Sequence, residues 1–386
     1  MKILYEKISV NSLGTKWYDL FNKYADDLYP GRYTLEMCRD LAEIYSEINE
    51  LKNKKDSAIL SHNYLYPEFH EISDSIGDSL GLSLFVKERQ CKRVDFQGVF
   101  FMGSNSKIVV GEEKRLFVPD KPENLGCSLV DSIDISYIKR WKEKYDGIVI
   151  SYINSDIFTK SLSDYICTSR NADMVIINAI KRFNGKRILI LPDRNLGTVM
   201  KARAIDILQG EGINVDPDII DVYDLEKSYC HVHEKIDLNY ILKAIEKHPE
   251  SDFLIHPESN CSFELYNMTK KDKDLQKRVY IVSTEQMISS AKNSSAKSFI
   301  VGTEKGMIYR LRKEVPEKEF LPIDFAECEY MKANTFEKLL ESLKDDKYEI
   351  LIADTEKTEI KENIIYLPQK IAEKARIAIM RMLEIK

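Results

Sequence analysis

Gly147-Ile148-Val149-Ile150-Ser151, running into Tyr152 and Asn154, is a short apolar stretch that ends in a polar pair. So brief a run, rich in Ile and Val, reads as a buried parallel strand. Residues at i and i+2 share one face of an extended chain, so Tyr152 and Asn154 point the same way at its carboxyl end. The pattern occurs twice more. Ala58-Ile59-Leu60-Ser61 leads to His62 and Tyr64, and Phe253-Leu254-Ile255 leads to His256 and Glu258. Ligands bind at the carboxyl ends of strands in open α/β sheets. Three such strand ends imply an internally repeated α/β fold with a shared site.

Two further elements repeat. Ser79 and Ser169 each lie 17 residues beyond a strand end (79 − 62 and 169 − 152), and the third copy, Ser283-Thr284, lies 27 beyond (283 − 256). The charged stretch Lys270-Lys271-Asp272-Lys273-Asp274 accounts for the longer third spacing as a surface insertion. A serine or threonine ahead of a helix caps it, and the same helix start offers N–H groups to an anion. Capping explains any single copy; recurrence favours a ligand. The last element is a basic start, an apolar strand and a proline: Lys114 to Pro119, Lys186 to Pro192, and Lys318 to Pro322. These precede Cys127, Cys230 and Cys328, which are 103 and 98 residues apart (230 − 127 and 328 − 230). The expected organisation is an N-terminal extension with a helix (1–55), three α/β domains (56–127, 128–230, 231–328) and a C-terminal segment (329–386). Leu35 to Leu51 and Gln369 to Leu383 have helical periodicity.

Of the seven cysteines, Cys38, Cys91, Cys167 and Cys261 occupy no repeated position. Cys127, Cys230 and Cys328 recur in register, which points to one thiolate per domain at a common centre. Thiolates hold iron–sulfur clusters, commonly four to a cluster, so three leave one iron open as a Lewis acid. Zinc is the competitor, because His231 and His233 follow Cys230; the lack of any CxxC pair weighs against it. No P-loop lysine motif occurs, and Val301-Gly302-Thr303-Glu304-Lys305-Gly306 is too loose for a dinucleotide fingerprint.

The 386 residues are 44% hydrophobic and 31% charged, as expected of a globular chain with real cores. A net charge of −6 leaves no basic surplus for nucleic acid. No apolar run approaches the ~20 residues that span a bilayer, and MKILYEKISV is no secretory signal. An odd cysteine count without such a signal favours a reducing cytoplasm.

The ordered motifs resemble the quinolinate synthase family, iron–sulfur enzymes of pyridine-nucleotide (NAD) biosynthesis. They are Ser61-His62-Asn63-Tyr64, Gly77-Asp78-Ser79-Leu80, Gly98 to Met102, Gly126 to Asp131, Cys167-Thr168-Ser169, Leu191 to Gly197, Cys230 with His233, His256-Pro257-Glu258, Ser283-Thr284, Gly302-Thr303-Glu304, and Cys328 with Met331-Lys332. The resemblance runs from about residue 45 to the C-terminus. It implies three pseudo-threefold-related, Rossmann-like α/β/α domains with short parallel sheets in a triangle, around a [4Fe-4S] cluster held by Cys127, Cys230 and Cys328. It implies a C-terminal segment packed back on the first domain. It also implies a transferase that condenses iminoaspartate with dihydroxyacetone phosphate to quinolinate, phosphate and water, and leaves room for transient contact with an iminoaspartate-producing enzyme.

By the same resemblance, Ser79, Tyr152, Asn154, Ser169, Ser283 and Thr284 would hold carboxylate or phosphate oxygens. His62, Tyr64, His233, His256 and Glu258 would position substrates and move protons. Glu258 is the first choice as general base, on the expectation that burial raises its pKa. Three departures stand out: Gly103-Ser104-Asn105-Ser106-Lys107 lacks the family's acid, Ser259-Asn260-Cys261 replaces a cysteine directly after the glutamate, and Val282 replaces a glycine. The competing readings are a paralogue using the same cluster for a related condensation or dehydration, and a non-catalytic iron–sulfur sensor. Polar pairs at all three strand ends are more than a sensor requires.

Overall fold

The computed structural model describes residues 10–183 and 185–384, so the first nine residues of the expected 1–55 extension lie outside the described residues. Three α/β/α units follow one another, each built on a short parallel sheet. The first contains Ser57–His62 (β1), Ser75–Gly77 (β2), Arg93–Gln97 (β3) and Arg115–Phe117 (β4). The second contains Ile148–Tyr152 (β5), Tyr165–Cys167 (β6), Ile188–Leu191 (β7) and Ile220–Val222 (β8). The third contains Asp252–Ile255 (β9), Val279–Ile281 (β10), Ser298–Gly302 (β11) and Glu319–Leu321 (β12). The strand order repeats as β2-β1-β3-β4, β6-β5-β7-β8 and β10-β9-β11-β12. Every residue of β1, β5 and β9 is buried, as helices on both faces of a parallel sheet require. Full burial of each such Ile or Leu contributes about 1.5–3 kcal/mol.

This register corrects one expectation. The basic–apolar–proline stretch Lys186 to Pro192 is β7, the third strand of its unit, whereas Lys114 to Pro119 and Lys318 to Pro322 contain fourth strands, β4 and β12. The true fourth strand of the second unit is β8, three residues that pair with β7 at Ile188↔Ile220.

Backbone hydrogen bonds repeat with the same fidelity. The N–H groups of Phe100, Arg194 and Lys305, at the head of the helix after each unit's third strand, donate to the carbonyls of Leu125, Ser228 and Ala326 at 2.7, 2.8 and 2.8 Å. Each acceptor lies two residues before a cysteine. The carbonyls of Cys127, Cys230 and Cys328 then accept from Asp131, Glu234 and Lys332 at 2.9, 2.9 and 3.1 Å, closing one turn apiece. The cysteine position is thus fixed three times by the same pair of constraints.

Beyond Cys328 the chain adds Glu349–Ala353 (β13), Glu359–Lys361 (β14) and Ile364–Pro368 (β15). β13 pairs antiparallel with β4, making the first sheet seven-stranded. The final helix, Gln369–Glu384, packs mainly on helix Ile157–Leu162 and β6 of the second unit, and only in part on the first. At the other end, helices Val10–Ala25 and Leu35–Lys54 pack together. Gly14 allows their approach, since a Cβ there would lie 2.8 Å from the Arg39 Cα. No described helix is long and apolar enough to cross a membrane.

Candidate functional site

The carboxyl ends of β1, β5 and β9 meet around one cavity of about 80 Å³. His62, Tyr64, Ser79, Tyr152, Asn154, Ser169, His233, His256, Glu258 and Thr284 line it, together with Cys127, Cys230 and Cys328. Ser283 does not. It caps helix Thr284–Asn293 in a capping box with Gln286. Ser79, by contrast, is not the cap of its helix, because Asp78 takes that position and accepts from Gly81 N at 2.7 Å. The Ser79 hydroxyl is thereby left at the cavity wall. A far larger groove, about 930 Å³, lies on the second unit around Tyr137, Trp141 and Lys201, away from every strand-end pair.

His62 and His256 occupy equivalent strand ends and adopt the same pose. Nδ1 of each accepts the backbone N–H two residues on, from Tyr64 at 3.2 Å and Glu258 at 3.4 Å. The proton of a neutral ring therefore sits on Nε2. Burial pushes the pKa of both down to about 3, so both stay neutral at ordinary pH. Two imidazole N–H donors thus serve the cavity without carrying charge.

A polar chain joins the units. The Tyr64 hydroxyl meets Thr303 Oγ1 at 2.7 Å, which meets His233 Nε2 at 2.9 Å. His233 Nδ1 lies 2.9 Å from Glu258 Oε2, although the ring is not aligned for a hydrogen bond. Glu258 Oε1 accepts from Asn154 Nδ2 at 3.0 Å, and the Tyr152 hydroxyl lies beside the same carboxylate. This surrounding overturns the expected pKa of Glu258. Burial does raise it, but His233, His256 and Tyr152 outweigh burial and hold the carboxyl below its ordinary range. Tyr64 and Tyr152 are shifted well upward, first by burial and then by the Glu258 charge, so both remain protonated.

The three cysteines are half-buried and form no disulfide. Burial pushes the thiols of Cys127 and Cys328 up to about 12. Cys230 is also raised, by burial, the Glu258 charge and the other two sulfurs. Backbone N–H groups of Val130, His233 and Met331, each three residues on, favour the thiolates in return. Three thiols that repel one another yet are furnished with such donors fit a metal centre, which supplies the positive charge that ionises them. Cys230, His233 and Glu258 form a second group, with ligand atoms within 4.8 Å of one another. In that group His233 Nε2 is already engaged by Thr303 and Glu258 Oε1 by Asn154.

Sequence reading quoted Thr303 within a motif but gave it no role; it is the bridge between Tyr64 and His233. It likewise gave no role to the carboxylates beneath two cysteines. Asp193 Oδ2 accepts from Cys230 N at 3.1 Å, and Glu304 Oε1 from Cys328 N at 3.4 Å. Both stand two residues past the ends of β7 and β11, a repeated position visible only once β7 is in its true register. Glu304 is also paired with Lys332 at 3.0 Å. Of the departures, Ser104 is buried and turns its hydroxyl back to the Phe101 carbonyl, and Ser259 bonds the Gly302 carbonyl.

Comparison with known proteins points one way. A family model described as "Quinolinate synthetase A protein" matches residues 46–384. The "Quinolinate synthase" of Pyrobaculum aerophilum is 37% identical over 347 residues, covering 88% of this chain and 98% of its own. That of Caldicellulosiruptor saccharolyticus is 36% identical, over 90% of this chain and 99% of its own. That of Methanosarcina barkeri is 33% identical, over 89% and 98% respectively.

Proposed function

The chain belongs to the quinolinate synthetase A family, and on that premise we propose that it condenses iminoaspartate with dihydroxyacetone phosphate to quinolinate, releasing phosphate and water. The observation that carries this reading is the convergence of three register-matched cysteines and three strand-end polar pairs on one cavity. Cys127, Cys230 and Cys328 would hold a [4Fe-4S] cluster. When bound, the cluster supplies a Lewis-acidic iron that lacks a protein thiolate.

The side chains divide the remaining work. Both substrates are anionic, and the cavity receives them with neutral donors: the Nε2–H groups of His62 and His256 and the hydroxyls of Ser79, Ser169 and Thr284. Ser79 opens helix Ser79–Glu88, whose N–H groups add to the hold on an anion. The Tyr64 phenol, kept protonated, donates a proton to a departing oxygen and recovers it along Thr303 and His233. Glu258 stays ionised, orients His233 and stabilises positive charge on that ring, while Tyr152 and Asn154 fix the carboxylate.

Anaerobic purification, iron and sulfide analysis, and assay with freshly made iminoaspartate and dihydroxyacetone phosphate test the proposal. A brown protein that releases quinolinate supports it. A colourless protein with stoichiometric zinc overturns the cluster assignment. A brown protein that makes no quinolinate supports a paralogue acting on related substrates, the reading that the loss of the family's acid at Ser104 favours.

A further inference from the structure

We propose that the segment Val10–Thr34, which lies ahead of the family match, is a clamp that seats the Tyr64–Glu68 loop at the cavity, with Tyr29, Arg32 and Tyr33 as positioning residues. The clamp grips both ends of the loop. At the far end, Glu68 is 2% exposed and accepts from Arg32 Nη2 at 2.9 Å and the Tyr33 hydroxyl at 2.6 Å. A buried carboxylate needs such partners, and the extension supplies both. The Arg32 guanidinium also lies 3.6 Å above the Tyr66 ring.

At the near end, the Lys332 ammonium donates to the Tyr64 carbonyl at 2.5 Å and to the Tyr29 hydroxyl at 2.8 Å. The Tyr29 ring packs edge-on against Tyr66, at 5.1 Å between centroids. Tyr29 thereby fixes the lysine that fixes Tyr64. The segment is itself held by the third unit, where Arg312 pairs with Asp27 at 2.6 and 2.8 Å and bonds the Tyr24 carbonyl at 2.9 Å. Trp17, Phe21 and Ala25 anchor its helix in the core. It therefore ties the loop of the first unit to the third, the unit that carries Thr303, the partner of the Tyr64 hydroxyl. A strand-to-helix loop without ladder bonds opens readily unless it is tied from outside.

The role given to Tyr64 rests on the proposed function; the clamp itself does not. The double variant Tyr29→Phe/Tyr33→Phe keeps both rings and removes only the hydroxyls. The test is amide hydrogen exchange of the anaerobically purified full chain, with iron content and steady-state kinetics measured in parallel. The expected result is exchange about tenfold faster in residues 62–72, unchanged exchange in β5 and β9, unchanged iron, and a raised KM. Arg32→Lys keeps a positive charge beside Glu68 and shows a smaller change than Arg32→Gln. Unchanged exchange at 62–72 overturns the clamp, and so does uniform acceleration throughout the molecule. If exchange at 62–72 rises but the wild-type protein makes no quinolinate, the clamp stands and the proposed reaction falls.

Discussion

The loop after β1 and the loop after β5 do the same job in different ways. Each carries a polar pair into the cavity and enters a short helix, Pro67–Ile72 in the first unit and Ile157–Leu162 in the second. In the second unit the helix holds its own loop. The buried Lys160 ammonium donates to the carbonyls of Ile153 and Ser155 and to Ser155 Oγ. The equivalent residue of the first unit, eight positions past its strand end, is His70, whose ring approaches the Asn63 backbone but makes no hydrogen bond of good geometry. That loop is gripped instead from the N-terminal extension. One repeated unit is self-sufficient and its sister has delegated the task, so equivalent places in a repeat need not respond equally to mutation.

The largest effect probes where the two units agree. Cys127→Ala and Cys230→Ala should each abolish bound iron and activity, while Cys38→Ala, in a buried position far from the centre, keeps both. Iron per chain measures this, and unequal losses would show that the units differ at their cysteines too. Next comes the anchor itself. Lys160→Ala strands two buried carbonyls and leaves a cavity, so it should cost about 3 kcal/mol by denaturant unfolding. His70→Ala removes packing and a poorly aligned contact with the Asn63 backbone, and should cost less than half as much; equal costs would break the comparison.

Acid titration sharpens it further. Burial lowers His70 to about 3, against about 6.5 in the unfolded chain. The unfolded state therefore binds the extra proton between these values, and stability falls as pH drops from about 6.5 towards 3. Burial lowers Lys160 to about 7, so it is protonated in both states across that acid range and adds no slope there. His70→Gln should flatten the acid limb of a stability–pH curve, and an unchanged limb would assign the slope to His62, His256 and the carboxylates held low in the folded state, Glu258 among them. The smallest effect separates two serines. Ser283→Ala loses a cap and should cost about 1 kcal/mol with little change in KM, while Ser79→Ala should raise KM with little change in Tm.

What was legible in the sequence follows from the range of the forces involved. The first strands of the units were readable because continuous Ile, Val and Leu with a polar end are local signals. The cysteine register was readable because one constraint recurs at nearly equal spacing. β8 was missed because Ile220–Val222 is only three residues long, while Arg187 to Pro192 imitates the pattern of a fourth strand. Capping and ligand binding were hard to separate at Ser79 because its neighbour Asp78 caps equally well, a one-residue ambiguity that only geometry resolves. The role of Thr303 and the ionisation of Glu258 were out of reach, since each depends on side chains that other units bring together.

The C-terminal segment has a consequence for how the chain is made. β13 hydrogen-bonds to β4 and the last helix rests on the second unit, so residues made late complete contacts begun hundreds of residues earlier. A nascent chain that has already exposed all three cysteines still lacks the strap that joins its first unit to its second. Until that helix is made, the apolar surface that Ala375, Ala378, Ile379 and Met382 later cover stands open to misassociation.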